Sequence, residues 1–89
     1  MIHLSKVMAG HLAARGVNVN SISPGLFPSK MGDQVISVFG EELLEHSIPL
    51  GRAGRASDIA SAALFLASAG GAYTTGANIV VDGGVLAKL

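Results

Sequence analysis

The two segments with a strand pattern lie far apart in the 89-residue chain, and this separation constrains the fold more than any other feature. Residues 17–22 predict one strand, which Pro24-Gly25 ends, and residues 77–81 predict the other. Because a long connection with a helix joins them, we expect parallel strands with a right-handed crossover. Two strands alone are marginal in water, so we also expect them to belong to a larger sheet.

The flanking segments have helical patterns. In residues 2–15 apolar side chains recur at helical spacing, and Gly16 ends the predicted helix. The stripe consists of Leu4, Val7, Met8 and Leu12. Residues 56–68 predict the clearest helix, with Ser57-Asp58 at its start. This helix is apolar on most sides, so we expect it to be covered on both sides.

The connection between these elements, residues 26–55, is rich in loop residues and carries two weaker helical patterns. One covers residues 40–46, and the other covers residues 30–38. After the second strand, residues 82–84 predict a turn.

Charge and cysteine content exclude several kinds of site. The formal net charge is zero and no Lys/Arg cluster occurs, so neither a nucleic-acid partner nor an anionic membrane surface is indicated. The chain has no cysteine, and its three histidines do not form a metal spacing with acidic residues, so we expect no metal site. No apolar run reaches the roughly 20 residues that span a bilayer. We therefore expect a cytoplasmic protein without a membrane partner.

The loop after the first strand is the candidate ligand site, because ligands of open α/β sheets bind beyond the carboxyl ends of the strands. Here that loop begins at Pro24-Gly25. Gly25 permits close approach of the backbone to a ligand. Phe27 offers main-chain hydrogen bonds and an apolar wall, and Ser29 offers a hydroxyl. The alternative interpretation is a plain strand-to-helix turn in which Ser29 caps the next helix.

Three ordered segments carry a family resemblance. Residues 17–31 resemble R-V-N-A-I-A-P-G-x-x-x-T-x-M, residues 49–60 resemble P-L-G-R-x-G-x-P-E-D-I-A, and residues 64–84 resemble F-L-A-S-x-x-x-x-Y-I-T-G-x-x-I-x-V-D-G-G. These are motifs of the short-chain dehydrogenase/reductase family, in family order and spacing over nearly the whole chain. Residues 27–29 are also softly similar to 3-oxoacyl-(acyl-carrier-protein) reductases of the rhamnolipid type.

The resemblance implies an α/β fold in which residues 1–89 form the C-terminal part of a Rossmann-like, doubly wound parallel sheet. It also implies an oxidoreductase that uses NAD or NADP and acts on a ketone or a secondary alcohol. In the family, the loop after Pro24-Gly25 binds the nicotinamide carboxamide through the main chain of Phe27 and the hydroxyl of Ser29. Residues 30–48 correspond to the segment that covers the substrate.

The resemblance also shows departures. Ala56 replaces a usual proline and Ser57 a usual acid, both modest changes. More important, the family's glycine-rich phosphate loop and its Tyr–Lys pair have no counterpart. Lys6 has no tyrosine four residues before it, and the single tyrosine, Tyr73, has Ala77 four residues on. We therefore assign no catalytic residue, expect Met1 to align downstream of both motifs, and expect the isolated chain to be inactive.

The alternative function is a non-catalytic interaction module. Residues 2–15 correspond to a helix that family members often pack against its symmetry mate, and the final helix and strand form another common contact. Such faces would support homo-oligomers or association with full-length relatives.

Overall fold

The computed structural model describes residues 2–27, 34, 37, 38 and 40–87. It contains helices α1 (Ile2–Leu12), α2 (Glu41–Ser47) and α3 (Ala56–Ala67) and strands β1 (Ser21–Pro24) and β2 (Asn78–Val81). The chain divides into two compact units, Met1–Ser23 with Ala60–Ile79 and Pro24–Ile59 with Val80–Leu89. Among the residues described, no helix is both long and apolar enough to cross a membrane.

β1 and β2 pair as parallel strands in a two-stranded sheet. Ser21 N donates to Ala77 O at 3.0 Å, and Gly25 N donates to Val81 O at 2.9 Å. Both strands advance in the same direction between these two bonds, which is the parallel pattern. The predicted α/β class with parallel strands is therefore confirmed.

The helix predicted over residues 2–15 is present as α1 followed by a 3-10 turn, Ala13–Arg15. It ends at Gly16, whose φ is 74° and whose N–H donates to Ala13 O at 3.0 Å. Glycine adopts this left-handed conformation without the steric cost that a Cβ adds, which explains why the helix ends there.

The apolar stripe of α1 predicts the helix correctly, and the buried residue of this helix, Ala9, lies outside the stripe. Leu4 is 54% exposed and Val7 is 43% exposed, whereas Ala9 is only 3% exposed. Ala9 lies against Gly76, where an added Cβ would come within 3.5 Å of the Ala9 Cβ. Lys6, one turn before Ala9, donates from Nζ to Gly76 O at 3.0 Å. The small residue is buried because the helix packs closely on a backbone turn.

The first strand begins later than predicted, at Ser21 rather than at residue 17. Side chains take over the hydrogen bonds of the preceding residues. Val19 N donates to Thr75 Oγ1 at 3.0 Å. Asn20 donates from Nδ2 to Thr74 O and accepts from Ala77 N at Oδ1, both at 3.0 Å. Residues 17–20 therefore bind the neighbouring turn through these side-chain bonds and one backbone bond, from Gly76 N to Val19 O at 2.7 Å, instead of a strand ladder.

A single side chain of β2 links two residues of β1. The hydroxyls of Ser21 and Ser23 donate to Asn78 Oδ1 at 2.8 and 3.0 Å. Because side chains two apart in a strand lie on one face, one amide oxygen can accept from both. The second strand itself, predicted over residues 77–81, is confirmed as Asn78–Val81.

The helix predicted over residues 56–68 is confirmed as α3, and its acidic residue stabilises its start. Asp58 Oδ2 accepts from Arg55 N at 2.7 Å and from Arg52 Nη1 at 3.0 Å. The hydrogen bond from Arg52, followed by that from Arg55 N–H, holds the pKa of Asp58 below its ordinary value of 3.8. Asp58, and not Ser57, therefore accepts the backbone N–H of Arg55, the residue just before this helix.

The expectation that α3 is covered on both sides is wrong for the described chain. No residue of α3 is buried, and Leu64 and Phe65 are 69% and 47% exposed. Apolar periodicity reports which side chains favour burial and not whether a neighbour is present to bury them.

The remaining connection agrees with its prediction where it is described. The helix predicted over residues 40–46 is confirmed as α2. The one predicted over residues 30–38 lies mostly outside the described residues. Residues 82–84 form the predicted turn, with φ of 66° at Gly83 and 97° at Gly84.

Replacing Asn20 with alanine should lower the free energy of unfolding by about 1–3 kcal/mol, because Thr74 O and Ala77 N lose their partner in a part-buried position. Asn18→Ala is the matched control, since Asn18 makes one exposed bond of 3.2 Å to Ala72 O. Urea denaturation of both variants measures the difference. Equal losses would show that Asn20 does not organise this turn.

Lowering the pH should destabilise the protein through Asp58. Because its folded-state pKa is depressed, its contribution is complete above the ordinary carboxyl pKa of 3.8 and is lost as the pH falls through the folded-state value. Asp58→Asn should remove this part of the acid dependence. Arg52→Gln should remove only some of it, since the bond from Arg55 N stays. Denaturation midpoints measured from neutral to acidic pH show how much stability each protein loses in acid. An equal loss in the parent and in Asp58→Asn would contradict the prediction.

Candidate functional site

The candidate loop begins where β1 ends, at the exposed Pro24. The next residue, Gly25, donates from N to Val81 O at 2.9 Å. An added Cβ on Gly25 would lie 2.8 Å from both Cα and Cβ of Asp82, a separation that real Cβ atoms essentially never show. The close approach of two backbone segments, at Gly25 and at Asp82, therefore requires glycine at position 25, and a positive φ does not.

The aromatic residue of the loop, Phe27, is half-buried and its ring packs on Gly54. An added Cβ on Gly54 would overlap the ring, lying 2.7 Å from Cδ1 and nearer still to Cε1 and Cζ. The backbone beside the ring is also joined, because Gly54 N donates to Leu26 O at 2.8 Å. Gly54 therefore contacts the loop through both its backbone and its empty side-chain position.

A cavity of about 710 Å³ opens beside this loop, within the unit formed by Pro24–Ile59 and Val80–Leu89. This volume lies in the range of about 300–1,000 Å³ that is typical of small-molecule sites. Its apolar lining includes Leu26, Phe27, Ile48, Leu50 and Val81, and its charged lining consists of Arg52, Asp58 and Asp82.

The charged side chains of the cavity already have partners. Asp82 accepts from Leu86 N at 3.0 Å and from Gly84 N at 2.9 Å. These backbone donors hold the pKa of Asp82 below its ordinary value of 3.8, the bond from Leu86 N having the larger effect. Arg52 pairs with Asp58 at 3.0 Å, which raises the pKa of Arg52 above its ordinary value. These groups stabilise turns and a helix start, so they are poor candidates for proton transfer.

The main chain of Phe27 offers the hydrogen-bonding groups that the charged residues do not. No residue in the described ranges hydrogen-bonds to Phe27 N or O. A nicotinamide carboxamide has one acceptor oxygen and an NH₂ donor on a flat ring. A main-chain N–H and C=O beside an aromatic wall match that donor and acceptor set. The residues present therefore fit the nicotinamide end of a dinucleotide.

The structure places three of the four predicted site residues together. Pro24, Gly25 and Phe27 follow one another at the carboxyl end of β1, while Ser29 lies outside the described residues. Sequence reasoning missed Gly54 as a partner of the loop. The family motif could have indicated it, because Gly54 is the last glycine of the P-L-G-R-x-G motif that residues 49–54 resemble.

Tyr73 and Lys6, to which the sequence analysis assigns no catalytic role, lie in different surroundings. The Tyr73 side chain is fully exposed, at 104% of its reference area. Lys6 Nζ donates to a backbone oxygen of the 72–77 turn. Within the described ranges, no group of three His, Asp or Glu side chains could hold a metal ion.

Comparison with known proteins gives a consistent result. A family model described as "Enoyl-(Acyl carrier protein) reductase" matches residues 1–86. The chain is 42% identical over 85 residues to the 3-oxoacyl-(acyl-carrier-protein) reductase FabG of Staphylococcus aureus, covering 96% of this chain and 34% of that protein. It is 43% identical over 84 residues to the rhamnolipids biosynthesis 3-oxoacyl-(acyl-carrier-protein) reductase of Pseudomonas aeruginosa, covering 91% and 32%.

A solved structure shows the same arrangement. The crystal structure of a 2-deoxy-d-gluconate 3-dehydrogenase from Agrobacterium tumefaciens, described with bound NADP, superposes with a TM-score of 0.89 at 40% identity. The match covers 98% of this chain and 36% of that one. The chain thus spans about a third of the length of the relatives it matches. With a family model over residues 1–86, the chain belongs to the short-chain dehydrogenase/reductase family of Rossmann-fold oxidoreductases.

Proposed function

We propose that residues 1–89 form the C-terminal part of an NAD(P)-binding Rossmann-like domain and supply the nicotinamide side of an oxidoreductase site. The reaction would be hydride transfer between the nicotinamide and a ketone or secondary alcohol. One observation carries the proposal: at the carboxyl end of β1, Phe27 presents its main chain and its ring beside a cavity of about 710 Å³.

Each site residue has a separate role in this proposal. Pro24 ends the strand, and Gly25 lets the loop pass close to Asp82. The main chain of Phe27 binds the carboxamide, and its ring shields one side of the nicotinamide from water. The hydroxyl of Ser29 donates to, or accepts from, the same carboxamide. The bound dinucleotide supplies the hydride chemistry, while these residues bind and orient its ring.

Similarity to a solved structure favours NADP over NAD as the cofactor. A structural relative that superposes over 98% of this chain is described with bound NADP. Two observations indicate the substrate class. Two relatives are named as 3-oxoacyl reductases, and the cavity beside Phe27 has apolar walls at Ile48 and Leu50. We therefore extend the proposal to a carbonyl substrate with an apolar chain. We also propose that the protein is cytoplasmic and that it assembles into homo-oligomers.

The group that transfers the proton is a further part of the proposal. The family resemblance assigns that role to a tyrosine with a lysine four residues on, and the 89 residues contain no such pair. We propose that proton transfer needs residues outside these 89.

Replacing Ser29 with alanine should weaken NADPH binding about fivefold, the effect of losing one hydrogen bond of about 1 kcal/mol. Binding of the matching ADP-ribose compound, which lacks the nicotinamide, should not change. Ser29→Thr is the control, because threonine keeps the hydroxyl. Calorimetric titration of the natural protein with both ligands separates these effects. Equal weakening for both ligands would place Ser29 away from the nicotinamide.

The 89-residue chain on its own should show no nicotinamide-dependent turnover, because it lacks the Tyr–Lys pair. The measurement is the loss of NADPH absorbance in the presence of a 3-oxoacyl thioester. Steady turnover that disappears in a Phe27→Ala, Ser29→Ala double variant would contradict this expectation and show that the chain suffices.

A further inference from the structure

Gly54 lies across the candidate loop from β1 and has no side chain of its own to bind a ligand. Its backbone φ is outside the left-handed region, so an alanine is compatible with the local backbone. The space for the alanine methyl group is nevertheless taken, because the Phe27 ring occupies it. Packing against the Phe27 ring, rather than backbone geometry, therefore favours glycine at this position.

The overlap involves only the far end of the Phe27 ring. The nearest atoms to an added Cβ on Gly54 are Cε1, Cζ and Cδ1 of that ring, and no backbone atom is among them. A methyl group at position 54 can therefore be accommodated if the ring moves. Ring displacement, and not unfolding, is the expected response, since overpacking is relieved by shifts of side chains and nearby backbone.

The same glycine holds the backbone next to the ring. Gly54 N donates to Leu26 O at 2.8 Å, one residue before Phe27. On the other side, Gly25 N donates to Val81 O at 2.9 Å. The two residues before Phe27, Gly25 and Leu26, are thus each held by a backbone hydrogen bond, and the Phe27 ring packs on Gly54. A displacement of the ring would be transmitted to the N–H and C=O of the same residue.

We propose that Gly54 is a positioning residue for the nicotinamide: the Phe27 ring packs into the space that Gly54 leaves, and this contact holds the Phe27 main chain in its binding orientation. The inference rests on the proposed function, because it assumes that the main chain of Phe27 contacts the cofactor. It adds a residue that does not itself touch the nicotinamide.

The first test is Gly54→Ala in the natural protein. We expect its dissociation constant for NADPH to rise about tenfold, which corresponds to about 1.4 kcal/mol. The dissociation constant for the matching ADP-ribose compound should stay unchanged, because that ligand has no nicotinamide. Gly10→Ala is the matched control, since an added Cβ on Gly10 meets nothing within 4 Å and its φ is not positive. Equal weakening for both ligands would overturn the proposal.

The second test removes the ring that the alanine would strike. Phe27→Ala alone should weaken NADPH binding by loss of the apolar wall. The Gly54→Ala, Phe27→Ala double variant should bind no more weakly than Phe27→Ala, because the overlap is gone. Additive losses in the double variant would overturn the proposal. If Gly54→Ala fails to fold, the double variant should fold, and its failure to do so would also exclude the ring as the cause.

The two variants, together with Ser29→Ala, separate this inference from the function on which it rests. If both Phe27→Ala and Ser29→Ala leave the affinity for NADPH unchanged, the proposed nicotinamide contact is wrong and the inference falls with it. If only Phe27→Ala leaves it unchanged, the ring does not hold the main chain in place and the inference alone falls. If Phe27→Ala weakens binding and Gly54→Ala does not, the contact stands and only the role of Gly54 is wrong. Hydrogen exchange of the ligand-free protein gives a further readout, because Gly54→Ala should speed exchange at the amide of Gly25, which donates to Val81 O, and at the amide of residue 54, which donates to Leu26 O. Unchanged exchange at these amides would overturn the positioning role.

Discussion

The candidate site depends on how closely the ends of the two strands approach each other. Gly25 N reaches Val81 O at 2.9 Å, and the missing Cβ of Gly25 leaves room for the backbone of Asp82. Any side chain at residue 25 would push the end of β1 away from the turn after β2. Because Leu26 and Phe27 follow directly, the cavity wall and the candidate nicotinamide contact both rest on this one close approach.

Polar side chains, rather than a large apolar core, hold much of the described chain. Ala9 and Ile48 are the buried apolar residues in the described ranges. Four polar side chains take part in two of these hydrogen bonds each: Asn20, Asn78, Asp58 and Asp82. These bonds join the two strands, bind a turn to the segment before β1, or lie within a turn or at the start of a helix. Each such bond typically contributes about 0.5–1.5 kcal/mol, so their combined effect is considerable in a chain with little apolar burial.

The late start of the first strand has a cause that lies far away in the sequence. The strand was predicted to begin at residue 17 because Val17 and Val19 alternate with asparagines. The asparagine side chains instead bind the 72–77 turn, which lies more than fifty residues away in the sequence. The sequence pattern likewise gives no sign that Ala9 is the buried residue of α1, because Ala9 meets Gly76 and not an apolar partner. A local pattern holds no information about a distant turn.

The amino-acid sequence was enough to predict the order of helices and strands, the parallel pairing, the family, and the position of the Pro24-Gly25 loop. These follow from periodicity, from the long connection between the strands, and from motifs whose spacing is written in the chain. Three features became visible only in the folded chain: Gly54 packs against the ring of Phe27, Asp58 pairs with Arg52 at the start of α3, and Ala9 is buried. These contacts depend on which atoms meet after folding, and close packing between segments distant in sequence leaves no periodic signal.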